Sequence, residues 1–176
     1  YHALKMATHG SNTAVGYIAG RDTTSGEENV FIGHKAGYQN TTGYANTHVG
    51  SDAGRSCTSG HSHVCIGYRA GYSMTGTTYN VFIGKEAAMS CTSHQNVVIG
   101  HQAGYSGSQR SNCVLIGNQA GYDWWSDKQV AVGYRALHHK KGASNVAIGY
   151  NCMGDSAPDG VYAEQNVAVG CEALHE

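Results

Sequence analysis

The side chains best suited to chemistry sit in one short run, His61-Ser62-His63-Val64-Cys65. Imidazole and thiolate both ligate divalent transition metals. If the run is a β-strand, alternation puts His61, His63 and Cys65 on one face. His34, His101, His138 and His175 instead fall at variable positions and read as surface residues. A second group is aromatic: Trp124 and Trp125 adjoin in Asp-Trp-Trp-Ser-Asp, and Tyr38, Tyr72, Tyr105 and Tyr122 recur at matching places along the chain. Exposed rings of this kind suit a sugar or a protein partner, or they simply shield one another and the edge of the fold. No nucleophile elbow, phosphate-binding loop, zinc-protease motif or paired-cysteine zinc motif occurs, so no catalytic residues and no enzyme activity are expected.

What positions these residues is a repeat. The phrase Asn-Val-Phe-Ile-Gly-x-x-Ala-Gly at Asn29 returns as Asn-Thr-His-Val-Gly-x-x-Ala-Gly at Asn46. Its anchor glycines are Gly16, Gly33, Gly50, Gly67, Gly84, Gly100, Gly117, Gly133, Gly149 and Gly170, mostly 16 or 17 residues apart. The last interval, of 21, adds an insertion around 154–165 that includes the only proline, Pro158. Tyr-His-Ala-Leu at the start matches the Tyr-Arg-Ala-Leu after Gly133, so the chain reads as a segment of a longer or processed polypeptide.

Stacking the repeats turns the phrase into geometry. The position before each glycine holds only Val or Ile, and the position three before holds Val or Thr. Two β-branched residues separated by one other mark a short strand with one buried face. Such a strand is too short to stand alone, and a parallel stack of one strand per repeat is the repeat-protein solution. The expected fold is therefore all-β: one parallel β-solenoid domain spanning 1–176, with about ten coils and a length of roughly 50 Å at about 4.8 Å per coil. Each anchor glycine should sit where a Cβ would clash. The Ala three residues later should line a tight internal corner, and the Asn four residues earlier should stack into an amide ladder. The residue two before the glycine should point outward. That column contains Phe31, Phe82, Val98 and Leu115, and an outward apolar stripe would form an oligomer interface.

Bulk properties exclude several classes. Gly is 25 of 176 residues, about twice ordinary usage. Apolar residues at 40% argue against disorder. A net charge of −1 gives no electrostatic basis for nucleic acid as a partner, and no apolar run reaches membrane-span length. Of six cysteines, Cys57 and Cys91 share a column two coils apart, near 10 Å and too far for a disulfide. Isolated thiols or inter-chain bonds are expected.

Asn145-Val-Ala-Ile-Gly149 and Asn166-Val-Ala-Val-Gly170 resemble the head repeat of YadA-like trimeric autotransporter adhesins. Asn29 to Gly43 is similar to related repeats of phage tail fibres and bacterial surface proteins. The resemblance covers essentially the whole chain. It implies a left-handed parallel β-roll, lateral trimerisation, an extracellular, cell-surface or virion location, and attachment to host glycan or protein. On a three-fold axis, His61 and His63 of three chains would offer six imidazole nitrogens to a divalent transition metal. The functional expectation is a structural and adhesive segment of an oligomeric extracellular fibre. The alternative is a self-assembling filament subunit joined end to end through uncapped coils.

Overall fold

Every Val/Thr-x-Val/Ile phrase is a three-residue strand in the computed structural model. The structure describes residues 2–8, 10–106, 111–123, 126–139, 142–154 and 164–175. The strands are β1 (Thr13–Val15), β2 (Val30–Ile32), β3 (Thr47–Val49), β4 (Val64–Ile66), β5 (Val81–Ile83), β6 (Val97–Ile99), β7 (Val114–Ile116), β8 (Val130–Val132), β9 (Val146–Ile148) and β10 (Val167–Val169). They form one parallel sheet in chain order. Like positions pair directly: Ile32 with Val49, and Val49 with Ile66. The register is the same at the 21-residue interval, where Ile148 pairs with Val169, so extra residues are absorbed outside the strands. The fold is thus an all-β solenoid.

The corners follow from sterics. A Cβ built on Gly33 would lie 2.6 Å from the carbonyl oxygen of Gly50, and the φ there is +130°. Stacked glycines therefore let successive coils approach along this seam. Two further positions per repeat, five before and two after the glycine, adopt left-handed φ with ordinary side chains, as at Ser62 (58°) and Arg69 (53°). Left-handed backbone at a non-glycine is unfavourable locally, and here it is held in place by bonds between coils. Arg69 N–H donates to the Ser51 carbonyl at 3.0 Å, and Ser62 N–H to the Tyr44 carbonyl at 3.1 Å.

The expected amide ladder is present. Each side chain in that column accepts the backbone N–H of its successor: Asn29 from Asn46 at 3.0 Å, Asn80 from Asn96 at 2.9 Å, Asn145 from Asn166 at 2.9 Å. His63, Cys113 and Gln129 replace Asn in three repeats and keep the chain of acceptors unbroken. The Ala column is equally as expected, with Ala36, Ala53, Ala70 and Ala87 fully buried.

The faces of the strand are inverted relative to the sequence expectation. Phe31, Phe82, Val98 and Leu115 have 0% exposure and fill the inside of the coil, whereas Ile32 is 40% exposed. Those four residues are core and cannot form a contact surface between chains. The reason is space. A coil of this length encloses a narrow lumen, already occupied by the inward Asn and Ala, which leaves room for one strand side chain per coil. The middle residue of three takes it, and both β-branched neighbours point outward. The apolar interior is also discontinuous. Ala19, Phe31 and Ala36 form one cluster with Leu4 and Ala14, and a second runs from Ala53 to Ala168.

Candidate functional site: the exposed sheet face and its aromatic borders

The inversion moves the candidate interface to the opposite side of the sheet. Val30, Val64, Val81, Val97, Val114, Val130 and Val146 are half-buried in one outward column. Beside it run Ile32, Ile66, Ile116 and Ile148, all exposed, with Val49, Ile83, Ile99 and Val132 half-buried. Thr13 and Thr47 are the polar members of the first column. Nine strand-to-strand steps of about 4.8 Å give a stripe about 43 Å long. With a width of about 10 Å for the three strand residues, its footprint is about 430 Å², comparable to the largest apolar patch of a typical monomer.

An aromatic ridge borders one side of this stripe, at the position after the glycine. Tyr17 stacks on His34 at 5.5 Å, and Tyr134 on Tyr150 at 5.2 Å. Tyr17, Tyr68, Tyr134 and Tyr150 are all substantially exposed. Sequence reasoning passed over this column because its members are mixed, although the fourfold recurrence of Tyr was visible. The position five before the glycine borders the other side and carries Glu28, Tyr79 and Lys128, each exposed.

The four tyrosines singled out by sequence do share a column, which Arg69 joins to the ridge, lying 5.0 Å from the Tyr68 ring and 5.6 Å from that of Tyr72. Their ring faces are occupied. Tyr38 lies between Arg21, 4.0 Å from its centroid, and Arg55 at 5.5 Å. Tyr72 takes Arg55 at 5.3 Å and Arg69 at 5.6 Å, and Arg55 donates a hydrogen bond to its hydroxyl. Tyr105 stacks on Tyr122 at 5.2 Å, and Tyr122 on His138 at 5.3 Å. This column is largely a self-supporting cation–π and π-stacking ladder. Trp124 and Trp125 lie outside the described residues, as does 155–163 of the insertion.

The three residues of the candidate metal run do not share a face. The left-handed φ of Ser62 interrupts the alternation. His61 stays outside, stacked on Tyr44 at 4.6 Å and edge-on to Tyr79 at 5.2 Å. His63 turns inward, where both ring nitrogens are engaged. Nε2 lies 2.8 Å from the Thr77 carbonyl, and Nδ1 accepts the Asn80 N–H at 3.3 Å. Burial is the main cause of the fall of its pKa to about 4, helped by His61 and His94 and opposed by the Thr77 carbonyl. Cys65 is also inside, and burial raises its pKa well above the usual thiol range. Among the described residues, no group of three or more His, Cys, Asp or Glu side chains is disposed to hold a metal.

All six cysteines are free thiols, five of them buried and Cys171 exposed. A shallow depression at the N-terminal end of the stack is lined by Ser25, Glu27, Glu28, Thr42 and Tyr44. No described helix is long and apolar enough to cross a membrane. No protein-family model, no curated protein and no solved structure matches the chain.

Proposed function

We propose that this chain is a structural and adhesive segment of an extracellular oligomeric fibre, built by lateral association of parallel copies through the Val/Ile stripe. The observation that carries this reading is the stripe itself: a nearly unbroken double column of β-branched side chains on the outer face of a sheet. Antiparallel sheets often leave one face in water, but parallel sheets are characteristically covered on both. In this chain the inner face is covered by the coil's own turns. The outer face is left for a partner.

The borders favour a second copy of the same chain, parallel and in register. A two-fold or three-fold axis along the rod sets the residue after the glycine in one copy against the residue five before the glycine in the next, at the same height. His34 then meets Glu28, Lys85 meets Tyr79, and Tyr134 meets Lys128. These are one pair able to hydrogen-bond and two cation–π pairs. The stripe footprint of about 430 Å² per copy is about half of the roughly 800 Å² per partner of a standard stable interface, and the bordering columns would supply the rest.

In this reading the rod sets distance and stiffness, and glycan or protein ligands of a host surface are met by its exposed aromatic residues and by the sequence-adjacent Trp124 and Trp125. Three copies, left-handed winding and a location on a cell surface or virion follow from the adhesin resemblance. The test is sedimentation equilibrium of the wild type and of Ile66→Asp/Ile116→Asp, as set out at the end of the Discussion.

A further inference from the structure

Among the described residues two histidines are buried, His48 and His63, and they lie in neighbouring coils. His48 occupies the core column of β3 and pairs in register with Phe31 on one side and Cys65 on the other. Its ring sits 5.4 Å from that of Phe31 and against Gly54, where an added Cβ would strike the imidazole. It is fully buried, and neither ring nitrogen has a hydrogen-bond partner. A neutral imidazole always carries one N–H and one lone pair, so at least one buried donor is left unsatisfied. Every other residue of this column from Phe31 to Ala168 is apolar.

His63, at the entry to β4, is neutral for a different reason. The Thr77 carbonyl can only accept and the Asn80 amide can only donate, so the proton is on Nε2 and Nδ1 is bare. Protonating Nδ1 would set an N–H against an N–H. The groups facing both rings offer no compensation. His48 meets Phe31, Cys65 and Gly54, and the one charge-bearing group acting on it is His63. His63 meets Thr77, Asn80 and Gly60, with His61 and His94 acting from outside. No carboxylate is among them. Consistently, burial lowers the His48 pKa to about 3 and that of His63 to about 4.

A second observation places these rings at a seam. The apolar core breaks between the cluster containing Phe31 and the one that begins at Ala53, and His48 is the core residue between them. Among the described residues, no Asp, Glu, Lys or Arg is buried. Protons therefore have one weak point in the described core. In a solenoid each coil touches only its neighbours, so a fault at one step need not unfold the rest.

We propose that the coils of β3 and β4 form an acid-sensitive joint, closed while His48 and His63 are neutral and opened ahead of the rest of the sheet when they are protonated. The sign follows from linkage. The histidines hold fewer protons folded than unfolded, so the closed state has its full stability above about pH 6.5 and loses it as pH falls toward the folded values. The joint is independent of the lateral interface proposed above.

Hydrogen exchange of the whole chain at pH 7 and pH 5, corrected for intrinsic rates, tests it. The comparison is His48→Val/His63→Asn, which installs residue types the repeat uses in those columns. In the wild type, protection of the amides from Thr47 to Cys65 should fall roughly twentyfold for each histidine exposed by opening, while β7 to β9 keep theirs. The variant should be protected at both pH values. Retained protection of β3 and β4 at pH 5, uniform loss along the sheet, or the same loss in the variant would each overturn the proposal. If the variant does not fold, the spatial pattern in the wild type decides the question alone.

Discussion

The ring of Phe31 lies over the bare α-carbon of Gly37, six residues later in the same coil, in the space a Cβ would need. The same partnership recurs as His48 with Gly54 and Leu115 with Gly121. It reverses where the strand residue shrinks: Ala131 is followed by Leu137 and Ala147 by Met153, and both larger side chains are buried. These coils keep their lumen filled by trading volume between two positions.

That trade predicts a double-mutant coupling. Leu115→Ala should lower stability by about 3 kcal/mol through the cavity it leaves. Gly121→Leu alone should also destabilise, because its Cβ would lie 2.9 Å from Leu115 Cδ1. The left-handed backbone is not the obstacle, since Leu137 adopts a φ of 49° at the equivalent position. The pair together should be less destabilised than the sum by more than about 1 kcal/mol, read from urea denaturation. Strict additivity would show that the two sites do not share a space.

The amide ladder predicts a position-dependent cost. Asn46 donates to the Gly60 carbonyl at 2.8 Å and accepts the His63 N–H at 3.1 Å, both inside the coil. Asn46→Ala leaves two buried backbone groups unsatisfied and should cost about 2–4 kcal/mol. Asn166→Ala, at a half-buried site whose side chain donates to Asn145 and Glu164, should cost less than half of that by the same measurement.

Thiol accessibility checks the inversion of the strand. Cys65 belongs to the column that the sequence placed outside, yet it is fully buried, as is Cys57, whose pKa burial raises to about 12. Titration of the native protein with a thiol-reactive disulfide reagent should label Cys171 rapidly and the other five cysteines only after denaturation. Fast native labelling of Cys65 would contradict the packing described.

The period, the in-register stacking, the glycine seam, the Ala corner and the Asn ladder were all legible, because each is a column of one residue type with one steric or hydrogen-bonding cause. Which face of the strand turns inward was misread. β-Branched residues were assigned to the core because they are apolar, but in this sheet both faces are apolar, and alternation alone cannot rank them. The usable signal was the trade between Phe31/Gly37 and Ala131/Leu137, which only an enclosed space imposes. The His61–His63 pairing failed for a separate reason: nothing in Ser62 itself announces a left-handed φ. Its neighbours in the stack impose it.

Sedimentation equilibrium tests the central claim most directly. The account predicts that the wild type sediments as a defined multiple of the 18.6 kDa chain, and that Ile66→Asp/Ile116→Asp, on the outer face, reduces it to a folded monomer. A wild-type mass of 18.6 kDa at micromolar concentration, or an oligomer indifferent to two charges on that face, would contradict it.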